Sequence, residues 1–164
     1  LRPPLWQSLE EAKEQIMPVM NEADIVKVSE EELEFLTGRK DLDQGTEILH
    51  EKFGIPLVLV TLGAAGSYFR FGQRVGRKGT FNNLKAIDTT GAGDAFFGGF
   101  LYAMLNGGID KPAAFDHESL MACMTFANAV ASLCVTKKGA IPAMPCLLEV
   151  LELIKSEQKH HLNE

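Results

Sequence analysis

Cysteine is scarce in this chain: three residues in 164, namely Cys123, Cys134 and Cys146, odd in number and far apart. No C-x-x-C occurs, so a dithiol redox motif is excluded. Each cysteine lies in apolar sequence and reads as a buried reduced thiol, which fits a reducing cytoplasm. Positive charge is also in deficit, with 16 Lys and Arg against 22 Asp and Glu and a net charge of −6. Phosphate-backbone binding needs concentrated cations, so a general nucleic-acid partner is excluded. A single anionic ligand would have to be held by local geometry rather than by the overall field. No apolar run reaches the roughly 18 residues of a membrane span. The first residues, "LRPPLW", carry no charged-then-apolar signal pattern and read as a chain joined in midstream. The four histidines (His50, His117, His160 and His161) form no metal spacing and read as surface residues. No internal repeat or low-complexity tract is present.

What is there is a sequence able to bury a core, 46% hydrophobic and 23% charged. Residues 8–23 read as a helix capped by Ser8 and kinked or ended by Pro18. "DIVKVS" (24–29) is a β-branched strand. "SEEELEFLTG" predicts a capped helix with Ser29 as N-cap, Glu32 three residues on and Gly38 as its stop. Residues 44–54 predict another helix ending in Gly. The near-continuous apolar run "IPLVLVTL" (55–62) suits a strand covered on both faces, as in a parallel sheet. "GSYFRF" (66–71) and "QRVGRKG" (73–79) form a hairpin pair, with the Gly-rich stretch near 72–79 the loosest part. "LKAID" (84–88) is a short strand. Residues 94–105 are helical, stopped by Gly107 and Gly108, with Phe96, Phe97, Phe100, Leu101, Met104 and Leu105 in the core. Residues 117–139 are a second long helix, with lysines near its C-terminal dipole. A last helix begins at "CLLEVLELIK", apolar at Leu147, Leu148, Leu151 and Ile154. Strands alternate with helices, as in a helix–sheet–helix α/β fold.

The chemistry concentrates in "AIDTTGAGDAFFGGFLYAML" (86–105). A Walker P-loop would need a lysine after the glycines, and none follows. A dinucleotide fingerprint would need a third glycine where Phe96 stands, in the close strand–helix contact. A third reading is a catalytic helix mouth. There Gly91, Ala92 and Gly93 present N–H groups to a developing negative charge, while Asp94 takes the proton of an attacking hydroxyl. The fourth is plain: Asp94 is an acidic helix cap beside a glycine turn. These residues alone leave the last two open.

"DTTGAGDAFFGGFL" (88–101) resembles the second signature of the ribokinase, or phosphofructokinase-B, family of sugar kinases. The resemblance continues through "KVSEEELEFLTG", "VLVTLGAAGSYF" and "VTKKGAIPAMP", covers nearly the whole chain, and is nearest to fructokinases. It implies a ribokinase-like three-layer α/β fold with a mostly parallel sheet. It also implies an ATP-dependent sugar kinase that phosphorylates a primary hydroxyl, with ribose, nucleoside or ketodeoxygluconate kinases as neighbouring alternatives. By position it makes Asp94 the catalytic base and Gly91, Ala92 and Gly93 the anion hole. Thr61, Gly63 and Gly66 match a T-x-G-x-x-G turn beside the nucleotide, and Asn128 falls where relatives line the adenine pocket. Glu30 matches the acid of an N-x-x-E motif that supports Mg²⁺ and phosphates. Asp88 and Thr90, with carbonyls of Cys134, Lys137 and Gly139, match a monovalent-cation site in relatives that use potassium.

Two positions depart from that pattern. Lys27 replaces the Asn of N-x-x-E and could meet phosphate directly. Ala143 lacks a hydroxyl that some relatives offer to the cation. The resemblance matches only a C-terminal, nucleotide-binding half (residues 1–164). The glycine-rich first signature, most sugar contacts and a β-sheet lid have no counterpart, and Arg2 would come near the active site. The implied partners are a sugar and ATP, with a homodimer allowed for the full-length protein. This half alone is expected to bind nucleotide and to turn over poorly, because a lidless site leaves water to compete with the sugar.

Overall fold

The computed structural model describes residues 3–81 and 84–161, with the side chains of residues 4–81 and 84–157. The chain divides into two units. The first comprises residues up to Leu62 together with Tyr68–Arg77; the second comprises Gly63–Ser67 and everything from Lys78.

The first unit follows its local signals closely. Helix α1 (Leu9–Met20) starts on Ser8, whose side chain accepts from Glu11 N, and Pro18 sits inside its last turn. Strand β1 (Ile25–Ser29) leads into α2 (Glu30–Thr37). Ser29 and Glu32 exchange both capping-box bonds, and Gly38 ends the helix in the left-handed region at φ 73°. Helix α3 (Leu42–Phe53) begins two residues before the expected start, because the Asp41 side chain accepts from Gln44 N. Strand β2 (Leu57–Thr61) pairs parallel with β1, with Ile25 opposite Leu57 and Ser29 opposite Thr61. Leu57 to Val60 are fully buried, as a strand covered on both faces requires.

Strands β3 (Ser67–Phe71) and β4 (Arg74–Lys78) complete the order β1-β2-β3-β4. The Gly-rich stretch expected to be loose is mostly β4. Its Gly76 lies so near the Phe69 ring that an added Cβ would come within 2.6 Å of Cε1. The core of this unit gathers Val28, Leu33, Leu49, Ile55, Val58 and Val60. At its margin the buried Arg70 donates to Thr46 Oγ1 (3.1 Å), to the carbonyl of Gly72 (3.3 Å) and to the Asp43 carboxylate. A buried guanidinium with each edge paired ties the hairpin to the start of α3.

In the second unit, α4 (Ala92–Asn106), α5 (His117–Cys134) and α6 (Leu147–His161) are the main elements. Helices α4 and α5 pack closely where Gly99 faces Val130; a Cβ at Gly99 would meet Val130 Cγ2 at 2.9 Å. Phe100 stacks obliquely on Phe115, with ring centroids 5.8 Å apart.

Several expectations are corrected here. "LKAID" is not a strand: the N–H groups of Ile87 and Asp88 both donate to Val135 O, at 2.7 and 3.1 Å, so this segment runs against the end of α5. Helix α5 stops at Cys134 rather than at residue 139, and α4 begins at Ala92 rather than at Asp94. Leu105 is 65% exposed, while Phe96, Phe100 and Met104 are buried and Phe97 and Leu101 half-buried. On α6 the buried side chain is Val150, with Ile154 half-buried, whereas Leu147, Leu148 and Leu151 are exposed. Cys123 and Cys134 are buried but Cys146 is exposed. His50 is half-buried, with Nδ1 2.7 Å from Ile55 O, and His117 is exposed. The side chains of Arg2, His160 and His161 lie outside the described residues.

Candidate active site

The N-terminal turn of α4 is built differently from the other helix starts. Its N-cap, Gly91, has φ 82° and makes no side-chain cap bond. A Cβ on Gly91 would come within 2.6 Å of the Ala140 Cβ, so glycine is required by both backbone angle and space. Asp94 is the third residue of the helix and exposed, not the cap. Among the described residues nothing donates to its carboxylate, so the plain capping role is not what the side chain does.

The amides are divided. Ala92 N–H donates to Thr89 O at 3.1 Å, which removes it from the expected anion hole. The N–H groups of Gly91, Gly93 and Asp94 find no acceptor among the described residues. Three free donors at the positive end of a 15-residue helix form a site for an anion.

Two cavities in the second unit flank this turn. One, of about 330 Å³, is lined by Gly63, Thr80, Phe81, Ala92, Ser132 and Val135 among others. The other, of about 340 Å³, has Asp94 on its wall with Gly98, Tyr102, Phe126, Met144 and Val150. The first is almost wholly apolar apart from hydroxyl groups, which suits a flat heteroaromatic ring.

Asp88 holds the turn from the other side. Its Oδ2 accepts from Gly139 N and its Oδ1 from Thr90 N, both at 2.9 Å. The Gly139 N–H is the main cause that draws its carboxyl down to about 2, followed by the Thr90 hydroxyl and N–H. Burial first, then the negative Asp88, raises the Cys134 thiol. Burial alone pushes Cys123 up to about 11, so neither buried thiol is a nucleophile at neutral pH.

The remaining expected residues are distributed as follows. Gly139 and Thr90 are gathered on Asp88. The Cys134 carbonyl accepts from Lys137 N at 3.3 Å, and the Lys137 ammonium pairs with Glu149 at 3.0 Å rather than facing Asp88. Gly63 opens a short 3-10 turn lining the first cavity and has φ 54°. Gly66 has φ 95°, and a Cβ there would lie 2.1 Å from Lys78 O. Asn128 is 3% exposed and spends its Nδ2 on the carbonyls of Lys78 and Gly79, both at 3.1 Å. Its Nδ2 thus fastens the end of β4. Lys27, Glu30 and Thr61 belong to the first unit. Lys27 is half-buried, Glu30 is the exposed first residue of α2, and Thr61 Oγ1 donates to Val28 O at 3.4 Å. Among the described residues no group of three His, Cys, Asp or Glu could hold a metal ion by side chains alone. Thr80 and Ser132, which line the first cavity, were not legible as site residues. Their oxygens are 2.7 Å apart across 52 positions of sequence.

The α4 start is thus an uncapped glycine turn whose carboxylate and three of whose amides have no partner among the described residues, between two cavities. The pfkB family carbohydrate kinase model matches residues 1–146, and the chain belongs to that family. It is 42% identical over 163 residues to probable fructokinase-3 of Arabidopsis thaliana, covering 99% of this chain and 46% of that protein. It is 45% identical over 155 residues to probable fructokinase-2 of the same plant, covering 94% and 46%. Among solved structures it resembles the Xylella fastidiosa fructokinase with bound ATP at a TM-score of 0.85 and 35% identity, over 96% of this chain and 50% of that one. It also resembles a Vibrio cholerae fructokinase double mutant bound to fructose, ADP and potassium, at a TM-score of 0.82 and 34% identity over 94% and 48%. These likenesses give the ribokinase-like α/β fold. The chain spans about half the length of the relatives it matches.

Proposed function

We propose that this chain is the nucleotide-binding C-terminal half of an ATP-dependent fructokinase. The observation that carries the reading is the first turn of α4: an Asp94 carboxylate without a partner beside the free N–H groups of Gly91 and Gly93. In phosphoryl transfer a protein mainly positions groups and stabilises charge. The Gly91, Gly93 and Asp94 amides meet the transferring phosphoryl group, and Asp94 accepts the proton of the attacking primary hydroxyl. The cavity beside Ala92 receives the base of the nucleotide, with Gly63 at its wall. Gly66, in the same turn, keeps that loop pressed against the end of β4.

Asp88 and Thr90, with the carbonyls of Cys134, Lys137 and Gly139, would supply an all-oxygen donor set, which suits a hard monovalent cation such as potassium. The N–H groups of Thr90 and Gly139 both donate to the Asp88 carboxylate, which holds these two segments beside it. Magnesium, brought with the nucleotide, would neutralise phosphate charge. Unpaired thiols agree with a cytoplasmic setting, and among the described residues no helix is long and apolar enough to cross a membrane. A homodimer is allowed for the full-length protein.

The test joins this chain to the preceding half of a fructokinase relative and measures ADP production with fructose, ribose and ketodeoxygluconate. Fructose is the preferred acceptor, and unchanged turnover after Asp94→Asn would defeat the base role. A second reading is a nucleotide-binding module without turnover. Calorimetry on the 164-residue chain separates the two: ATP binding with no phosphorylation fits the module, and phosphorylation by this chain alone refutes it.

A further inference from the structure

The open turn of α4 is backed by the loop that follows α5. Val135 O accepts from the N–H groups of Ile87 and Asp88, Gly139 N–H donates to the Asp88 carboxylate at 2.9 Å, and Ala140 stands against Gly91. The same loop also reaches α6, where the Lys137 ammonium donates to Glu149 Oε1 at 3.0 Å. The other Glu149 oxygen accepts from Cys146 N–H at 2.7 Å, which orients the carboxylate toward the loop. Resting on the nucleotide reading above, we infer that Glu149 is a positioning residue: through Lys137 it sets the 135–140 loop, and with it the aim of the α4 amides at the phosphates of a nucleoside triphosphate.

The contacts close a triangle. One side is core packing: Val150, next to Glu149 in the chain, is buried in one apolar cluster with Ala95 of α4 and Ala143. The second side is the set of bonds from the loop to Ile87 and Asp88, with the contact of Ala140 on Gly91. The third is the Lys137–Glu149 pair. The N–H groups of Thr136 and Lys137 turn back to the carbonyls of Leu133 and Cys134, local bonds that extend the end of α5. The ammonium of Lys137 is what carries the loop across to α6. A half-exposed ion pair contributes little by itself, because two long side chains lose freedom in forming it. Here the Cys146 bond has already restricted one of the two. The Cys146 N–H, then the Lys137 ammonium, draw the Glu149 carboxyl below its ordinary range, so it is charged at neutral pH. The pair therefore acts through placement rather than strength: Ala140 and Gly91 are in contact, and a shift of the loop passes directly to the turn.

The experiment uses the 164-residue chain with magnesium, titrated by calorimetry with a non-hydrolysable ATP analogue and with adenosine. Glu149→Gln keeps an acceptor for Cys146 N–H and loses the charge that holds Lys137. Lys137→Met keeps the carboxylate and removes its partner. Each variant is expected to weaken the ATP analogue about two- to fivefold, the scale of a half-exposed ion pair. Adenosine, which carries no phosphate, is expected to bind each variant as it binds the unaltered chain. The double variant is expected to be no weaker than the single ones, as for two residues that act through one contact. Unchanged affinity for the ATP analogue in either variant overturns the inference and leaves the nucleotide reading standing. So does an equal loss for adenosine, which marks a general loosening, or losses that multiply in the double variant. Failure of the unaltered chain to bind the ATP analogue overturns both.

Discussion

Two helix beginnings in this chain invite comparison. At α2, Ser29 and Glu32 satisfy each other's backbone amides reciprocally, and the turn is closed. Helix α5 repeats the device with Asp116 and Ser119, and α1 and α3 use Ser8 and Asp41. At α4 the cap is a glycine in the left-handed region, no side chain reaches back, and three amides are left without an acceptor among the described residues. A closed start contributes about 1 kcal/mol to stability. An open start forgoes that and keeps its donors for something outside the chain. Beside α1, α2, α3 and α5, each sealed by a side chain, the start of α4 is left open.

The largest expected effect falls on the open turn. In a completed enzyme, Asp94→Asn should lower turnover by about 10²–10⁴-fold, roughly 3–5 kcal/mol of barrier. The melting temperature should barely move, because the carboxylate is exposed and has no partner among the described residues. Gly91→Ser comes next and breaks the analogy with α2 outright. Serine is a favoured N-cap, yet at φ 82° and with Ala140 in the way it should destabilise by about 1–3 kcal/mol, read by thermal or urea unfolding. Ser29→Ala should cost about 1 kcal/mol by the same measurement and leave nucleotide affinity unchanged.

The smallest effect is one of pH. The Asp88 carboxyl is held down near 2 from an ordinary 3.8, so its stabilising bonds are intact above pH 3.8 and are lost as pH falls through 2. An acid titration of stability should be shallower in that window for Asp88→Asn.

The parts of this structure written into nearby residues were legible. The start of α2 needs only Ser29, Glu32 and Gly38, and β2 needs only its own unbroken apolar run. What failed depended on contacts across long sequence distances. "LKAID" has the composition of a strand, but its amides find Val135 at the end of α5. That same carbonyl helps explain why α5 stops where it does, although the lettering runs on to Gly139. Asn128 could be read as a pocket residue or a core residue, and two carbonyls about 50 positions away decide what its amide does. Asp94 stands out in the sequence because glycine spacing and acid sit in one short stretch. The loss of the Ala92 amide was not, since it follows from how tightly Thr89 folds back.

Gly99 has an effect that reaches beyond its own position. Without a side chain there, α4 rests directly on Val130 and Ala127. Asp94 lies five residues up the same helix, about 7.5 Å along its axis. A methyl group at Gly99 would act as a wedge under a short beam, tilting its far end, where the Asp94 carboxyl is mounted. Tolerance at that glycine would therefore be read in aim before it was read in stability, and a variant could keep its melting point while missing its target.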